Sequence, residues 1–222
     1  MHPPLLWRPS AMTRAGTRLV AVAVAAAAAL AGASGLAPGD RAALMALYTS
    51  TGGAGGGWVN ASGWGGAGDP CAAPGWFGVA CDAAGARVTA LELGSNGLAG
   101  SLPGAIGALS AMRTLSLWNN AIGSTLPPSL ASLSSLASLD LTLNALGGSV
   151  PGALWNMTSL GTLALGANRL TGAIGAAIGG LRAIAHLDLS YNLFTGTIPD
   201  ALSNLTSLTF VVRTPPRTHA RA

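Results

Sequence analysis

Charged side chains are scarce in this sequence, and lysine is missing altogether. Only 8% of the 222 residues are charged, and their formal sum is +4 at pH 7. The excess of arginine belongs to the two ends, because residues 37–212 contain five arginines against seven acidic side chains. Nucleic-acid binding requires a basic surface, so that function has no electrostatic basis here.

Groups that carry catalysis are equally scarce. The one histidine between residues 37 and 212 is His186, and Asp188 and Ser190 follow it at steps of two. In a strand these side chains share one face, but steps of about 6–7 Å exceed the hydrogen-bond reach of a nucleophile and its base. Phosphate-binding loops, nucleotide fingerprints and metal-ligand spacings are also missing. We therefore expect no enzyme, no cofactor and no metal site.

Cysteine is rare as well, with Cys71 and Cys81 as the two copies. Two thiols without neighbouring histidines do not complete a tetrahedral zinc site. In an exported chain a disulfide between them is the natural expectation.

The beginning of the chain predicts export. Residues 1–36 carry a basic stretch, an apolar run over 19–33 and then small residues, which is the order of a signal peptide. As a helix this run would be roughly 22 Å long, shorter than the ~30 Å hydrocarbon core of a bilayer. An uncleaved anchor, an organelle transit peptide and a misassigned start are the alternatives. A signal peptide implies a secreted or cell-surface protein.

Repetition is what the sequence has in abundance. An asparagine returns every 24 residues after a pair of leucines, at Asn96, Asn120, Asn144, Asn168 and Asn192. The repeats span 88–111, 112–135, 136–159, 160–183 and 184–207, and a sixth begins before residue 212. This period and motif are typical of leucine-rich repeats. The sequence therefore predicts an α/β solenoid, a right-handed superhelix with a parallel inner sheet and 3₁₀ or helical outer turns.

Each repeat position has a physical role. The leucines point into the core, and the asparagine ties off backbone groups where the chain turns inward. A glycine then permits a tight bend, and a proline ends an extended segment before the outer turn. Ser124 replaces this glycine in the second repeat, and Gly175 replaces the proline in the fourth.

Residues 37–87 are predicted to form an N-terminal cap. Asp40 is expected at the N-cap of a short helix, and two strands are expected within 76–81 and 87–93. Four large aromatic residues surround the cysteines, namely Trp58, Trp64, Trp76 and Phe77. We interpret them as a small core that covers the first repeat. An aromatic ligand box is the alternative.

Cap and repeats together resemble the plant-type extracellular leucine-rich repeat family over about residues 40–210. The tail L-x-G-x-I-P, whose fullest copy ends at Ile198-Pro199, is similar to the plant-specific repeat, and the stretch from Cys71 to Cys81 is similar to that family's disulfide-linked cap. The family includes receptor-kinase ectodomains, receptor-like proteins and polygalacturonase inhibitors. The resemblance implies binding of peptides, polysaccharides or proteins on the inner face of the solenoid.

We therefore expect a non-catalytic extracellular recognition module that binds a protein, peptide or glycan ligand. The alternatives are the N-terminal ectodomain fragment of a transmembrane receptor-like kinase, a cell-wall-enzyme inhibitor, and a structural wall or ice-binding solenoid. Ice binding needs a flat array of threonine or asparagine, and the outward positions of the predicted strands are too mixed to supply it.

Those outward positions are mostly small and polar, so the candidate ligand-binding residues are the large or charged exceptions: Glu92, Trp118, Asp140, His186, Asp188 and Tyr191. Tryptophan and tyrosine are favoured binding anchors. The three acidic residues fall on alternate strands, about 10 Å apart, which is too wide to share a metal. A solvated face without a ligand is the alternative interpretation.

Three N-x-S/T sequons, at Asn60, Asn156 and Asn204, predict glycans in an exported chain. The last two lie two repeats apart on the same outer side, which would leave the inner face free.

The last repeat is incomplete. Leu208 begins a sixth repeat, but Arg213 and Pro216 stand where leucine and asparagine are needed, and residues 213–222 are expected to be disordered. The end of the solenoid would then be uncovered. Either the sequence is truncated, and a membrane tether follows in a longer receptor, or a partner covers that edge.

Overall fold

The computed structural model describes residues 35–212. The predicted signal peptide, except for residues 35 and 36, and the predicted disordered tail lie outside this range. No helix among residues 35–212 is long and apolar enough to cross a membrane.

The one α-helix of the described range, α1 (Pro38–Ser50), is not capped by Asp40. Ala37 is its N-cap, and proline opens the helix, where its missing N–H leaves no donor unpaired. Asp40 lies inside the first turn and is 1% exposed. Its carboxylate accepts hydrogen bonds from Arg87 Nε at 3.2 Å and from the Val88 N–H at 2.8 Å. The predicted N-cap is therefore wrong, and Asp40 instead fastens the helix to the first repeat.

Short strands and 3₁₀ turns make up the regular structure after α1. The strands are β1 (Val79–Cys81), β2 (Val88–Glu92), β3 (Ala99–Ser101), β4 (Thr114–Ser116), β5 (Ala121–Gly123), β6 (Ser138–Asp140), β7 (Gly147–Ser149), β8 (Thr162–Ala164), β9 (Arg169–Ala173), β10 (His186–Asp188), β11 (Leu193–Thr195) and β12 (Phe210–Val212). The 3₁₀ turns are η1 (Gly53–Gly55), η2 (Gly104–Ala108), η3 (Pro128–Ser132), η4 (Gly152–Asn156), η5 (Ala176–Gly180) and η6 (Asp200–Asn204).

Seven of these strands form the inner sheet, in the order β1-β2-β4-β6-β8-β10-β12. β1 is antiparallel to β2, and every later pair is parallel. The register steps by 24 residues, so that Leu91 pairs with Leu115 and Leu115 with Leu139. The predicted leucine-rich solenoid is thus confirmed, and β12 shows that the sheet continues into the sixth repeat.

A second set of strands was not expected from the sequence. β3 pairs with β5, and β7, β9 and β11 form a three-stranded sheet, all parallel. A single bridge between Thr125 and Gly147 joins the two groups. The interruption falls at the second repeat, where Ser124 adopts a φ of 66° in place of the usual glycine. The predicted extended segment before each outer turn is therefore itself a hydrogen-bonded strand.

The core of the solenoid is a stack of leucine rows. The inward leucines of the inner strands are at most 5% exposed, and the outer turns η2 to η5 each bury an aliphatic side chain, to which η4 adds Trp155. The four aliphatic side chains, Ile106, Leu130, Leu154 and Ile178, are all 0% exposed. Burial of this kind contributes about 25 cal/mol per Å² of apolar surface, so stacking of the repeats is the main source of stability.

Each repeat asparagine links its own coil to the preceding one, as Asn144 illustrates. Its Nδ2 donates to the carbonyl oxygens of Leu117 (3.0 Å) and Leu141 (3.2 Å), and its Oδ1 accepts the Ile122 N–H at 3.0 Å. Asn120, Asn168 and Asn192 repeat the same pattern. The row ends at Asn96, whose side chain bonds the backbone of Asn60 in the cap.

The cap is built on buried tryptophans. Trp58, Trp64 and Trp76 are 3–6% exposed, with ring centroids 4.8 and 4.9 Å apart along the row. They form the predicted core rather than a ligand box, whereas Phe77 lies outside that core at 41% exposed. A disulfide joins Cys71 to Cys81, with their Cα atoms 5.7 Å apart.

Candidate functional site

The side chains that alternate with the buried leucines of the inner sheet form one solvent-facing surface, which we call the inner face. Strand register places the predicted acidic residues in one row across it, in the order Glu92, Ser116, Asp140, Ala164 and Asp188. Adjacent strands lie about 4.8 Å apart, so successive acidic residues are separated by about 10 Å. Within residues 35–212 no group of three possible metal ligands comes together.

Trp118 is the large aromatic group of this face on the second repeat. Its side chain is 42% exposed, while the other tryptophans within residues 35–212 are at most 6% exposed. A Cβ built on Gly94, the equivalent position one repeat earlier, would overlap the indole of Trp118. The indole therefore lies over the preceding repeat, where the absence of a side chain makes room for it.

Tyr191 lies at the turn that follows β10 and is 67% exposed. The equivalent residue of the third repeat, Leu143, is 52% exposed. Both adopt a left-handed backbone, with φ of 49° and 55°, so the strand ends here instead of continuing its alternation. Large side chains are uncommon in this conformation because their Cβ is crowded. The equivalent residues of the other three repeats share this backbone, so the conformation belongs to the repeat, and the size of Leu143 and Tyr191 is what distinguishes them.

Leu143 is an addition to the candidate residues. The sequence signal for it is a large apolar side chain in a column whose other members, apart from Tyr191, are Ser95, Asn119 and Ala167. Trp118 and Tyr191, by contrast, lie on the second and fifth repeats, three strands apart, and are not brought together. The candidates therefore form an extended face rather than one compact pocket.

The central and distal carboxylates are held by their own strands. Asp140 Oδ1 accepts the N–H and the hydroxyl of Thr142, at 3.0 and 2.7 Å. Asp188 Oδ1 accepts the Ser190 N–H at 2.9 Å. A Cβ built on Gly166 would lie 2.6 Å from Asp188 Oδ2, so this carboxylate leans over the fourth repeat. Both charges are thus positioned without an ion pair among the described residues.

His186 begins β10 and pairs in register with Thr162 of β8. Ser190, which alternation would place on the same face, is only 5% exposed, and its N–H bonds Asp188. The hydroxyl of Ser190 is therefore hardly accessible to a substrate on the inner face.

The three sequons differ in their surroundings. Asn156 and Asn204 are exposed at the ends of η4 and η6. Asn60 is partly buried, and its Oδ1 accepts the Ser62 N–H at 3.0 Å. An open depression of about 470 Å³ adjoins Asn204 and includes Gly179 and Arg182. It lies along the outer turns, away from the inner face.

Fold and surface together define a repeat solenoid with one open sheet face. A sequence model of the leucine-rich repeat family matches residues 110–170 and 158–211. A search of curated proteins finds no match.

Solved structures supply the nearer comparisons. The leucine-rich repeat ectodomain of the receptor kinase SOBIR1 from Arabidopsis thaliana is 30% identical, with a TM-score of 0.69 over 82% of this chain and 95% of that one. The BIR2 ectodomain from Arabidopsis thaliana is 26% identical, with a TM-score of 0.68 and the same coverage. The chain therefore belongs to the plant-type extracellular leucine-rich repeat family.

A third solved structure shows a relative bound to its partners. It is the Arabidopsis receptor kinase HAESA in complex with the peptide hormone IDA and the co-receptor SERK1. The matching chain is 31% identical with a TM-score of 0.68, and the match covers 81% of this chain and 30% of that one.

Proposed function

We propose that this chain is a non-catalytic, secreted or cell-surface recognition module that binds a peptide or protein on its inner face. The observation that carries the proposal is the Trp118 indole, 42% exposed on the second repeat of a face of small polar residues. Exposed tryptophan is costly to leave in water and is enriched among residues that dominate binding energy. The related HAESA structure, which holds a peptide hormone and a co-receptor, supports a peptide or protein ligand.

Loss of the indole tests this function. A library of randomised peptides displayed on phage is selected on the immobilised full-length protein, and the enriched peptides are assayed against variants. We expect Trp118→Ala to weaken binding by about 30-fold or more, because a buried aromatic anchor contributes about 2 kcal/mol or more. Leu193→Ala is the matched control, since Leu193 is 60% exposed but belongs to the second sheet.

A second variant displaces the indole without removing it. Gly94→Ala places a methyl group where the Trp118 ring lies, whereas Gly161→Ala adds one at ordinary van der Waals distance, 3.5 Å from the Ala137 carbonyl oxygen. We expect Gly94→Ala to weaken binding and Gly161→Ala to leave it unchanged. If Trp118→Ala binds the peptides as tightly as the unchanged protein, the inner face is not their binding surface.

The far edge of the solenoid is a second candidate surface. Ile198 and Leu193 of the fifth repeat are each 60% exposed, whereas Ile174, the equivalent of Ile198 in the fourth repeat, is 9% exposed. β11 is also the last strand of its sheet among residues 35–212. These features support the far edge as a surface for a protein partner.

A further inference from the structure

The inner face is depressed at the fourth repeat, where its side chains are small. The inner-face positions there are Thr162, Ala164 and Gly166, followed at the turn by Ala167, and Ala164 is 7% exposed. The exposed side chains of Leu143 and Tyr191 stand on either side, in the repeats before and after. Two strand spacings separate them, so they border a furrow about 10 Å wide. We call this the fourth-repeat furrow.

Two carboxylates border the same furrow. Asp140 and Asp188 are the register partners of Ala164 on its two neighbouring strands. Within residues 35–212 each accepts its hydrogen bonds through Oδ1 alone, which leaves Oδ2 available to a ligand. Because Asp188 Oδ2 leans over Gly166, its charge lies above the floor of the furrow.

Among residues 35–212, no lysine or arginine lies on the inner face beside these carboxylates. The acidic side chains of that face are Glu92, Asp140 and Asp188, and His186 is the one histidine of the same range. The arginines of that range lie in the cap, at the edge before β4, at the start of β9 and after η5, as Arg41, Arg87, Arg113, Arg169 and Arg182. Complementary charge across an interface favours the correct partner and excludes others, so this face favours a cationic ligand.

Building on the proposed function, we propose that the ligand is a basic peptide segment whose arginine enters the fourth-repeat furrow. The guanidinium would bind Oδ2 of Asp188 and the carboxylate of Asp140, since its planar set of donors suits carboxylate oxygens. An adjoining apolar side chain of the peptide would pack against Leu143 and Tyr191. Arginine is preferred to lysine, because its flat, weakly hydrated group also packs against aromatic rings.

Charge removal tests this inference on the full-length protein, which is produced in a host without N-glycosylation because the Asp140→Asn and Asp188→Asn variants each create an N-x-S/T sequon. The probe is the peptide most enriched on the unchanged protein, together with a copy in which citrulline replaces arginine at the same size without the charge. We expect Asp140→Asn and Asp188→Asn each to weaken the arginine peptide about fivefold and to reduce its salt dependence. Asparagine retains the Oδ1 acceptor, so the strands keep their hydrogen bonds. Asp200→Asn, which removes the same charge from the exposed start of η6, is the control.

The outcomes separate this inference from the function on which it rests. The inference is supported if the selected peptides are enriched in arginine, if the citrulline copy binds more weakly, and if both aspartate variants bind the arginine peptide more weakly. Enriched peptides that need Trp118 but carry no basic residue, or that ignore both aspartate variants, would overturn the inference and leave the proposed function standing. Failure of any peptide to bind the unchanged protein would overturn both.

Discussion

At the scale of single residues, the repeat is held together by side chains that replace missing backbone partners. The chain turns inward after each inner strand, and carbonyl and N–H groups there have no regular partner of their own. The repeat asparagine satisfies groups on its own coil and on the preceding one, as the bonds of Asn144 show. Removal of one partner leaves buried polar groups unpaired, which costs more than the bond itself contributes.

Asn144→Asp tests this role. The change retains the Oδ1 acceptor but replaces the Nδ2 donor with an oxygen that faces the carbonyls of Leu117 and Leu141. We expect the free energy of unfolding to fall by about 3 kcal/mol, measured by urea denaturation. Asn119→Asp is the matched control, because Asn119 is exposed, and both asparagine and aspartate tolerate its left-handed backbone. There the change should stay within about 0.5 kcal/mol, and equal losses at the two positions would contradict the proposed role.

At the scale of elements, one ion pair links the cap helix α1 to the start of the first repeat. Arg87 NH2 lies 3.1 Å from Asp40 Oδ1, and the same carboxylate accepts the Val88 N–H at the start of β2. The hydrogen bond that Arg87 donates to Asp40, and then the negative charge of Asp40, raise the pKa of the Arg87 guanidinium above its ordinary value. A raised pKa means that this stabilisation is fully present below the unfolded-state value and is lost only in strong alkali.

We expect Asp40→Asn to reduce the free energy of unfolding by about 2 kcal/mol, because it leaves a partly buried guanidinium without its counter-charge. Asp69→Asn is the control within the same cap. Asp69 is exposed and accepts only the Cys71 N–H, a bond that asparagine also makes. Urea denaturation at neutral pH measures both, and similar stabilities for the two variants would show that the ion pair does not hold the helix to the sheet.

The same scale shows what sequence could and could not predict about the elements. The inner strands were predicted because their leucines alternate at a fixed period, so burial alone specifies them. The strands of the second sheet cannot be predicted in this way, because segments such as Gly147–Ser149 are short, rich in glycine and without alternation of apolar and polar residues. The position of Asp40 could not be predicted because Pro38 starts the helix two residues earlier and the partner of Asp40, Arg87, lies 47 residues away.

At the scale of the whole molecule, the 24-residue period determines the architecture. The character of the inner face depends on the few side chains that do not follow the repeat motif. The rows of the inner face followed from register, so Glu92, Asp140 and Asp188 were correctly placed in one row. The shape of that face was not predictable in the same way. The packing of Trp118 over Gly94 and of Asp188 over Gly166 depends on side-chain directions between repeats, which the motif does not specify.

The proposed function requires the ligand to bind on the inner face rather than at the far edge of the solenoid. Hydroxyl-radical footprinting of the full-length protein with and without an enriched peptide tests it most directly, because oxidation reports the exposure of individual side chains. We expect the peptide to protect Trp118, Leu143 and Tyr191 from oxidation. Three other exposed side chains lie off the inner face and should be oxidised as before: Val59, Leu193 and Ile198, which are 60–80% exposed. Protection of Leu193 and Ile198 with Trp118 unchanged would instead place the ligand at the far edge and contradict this requirement.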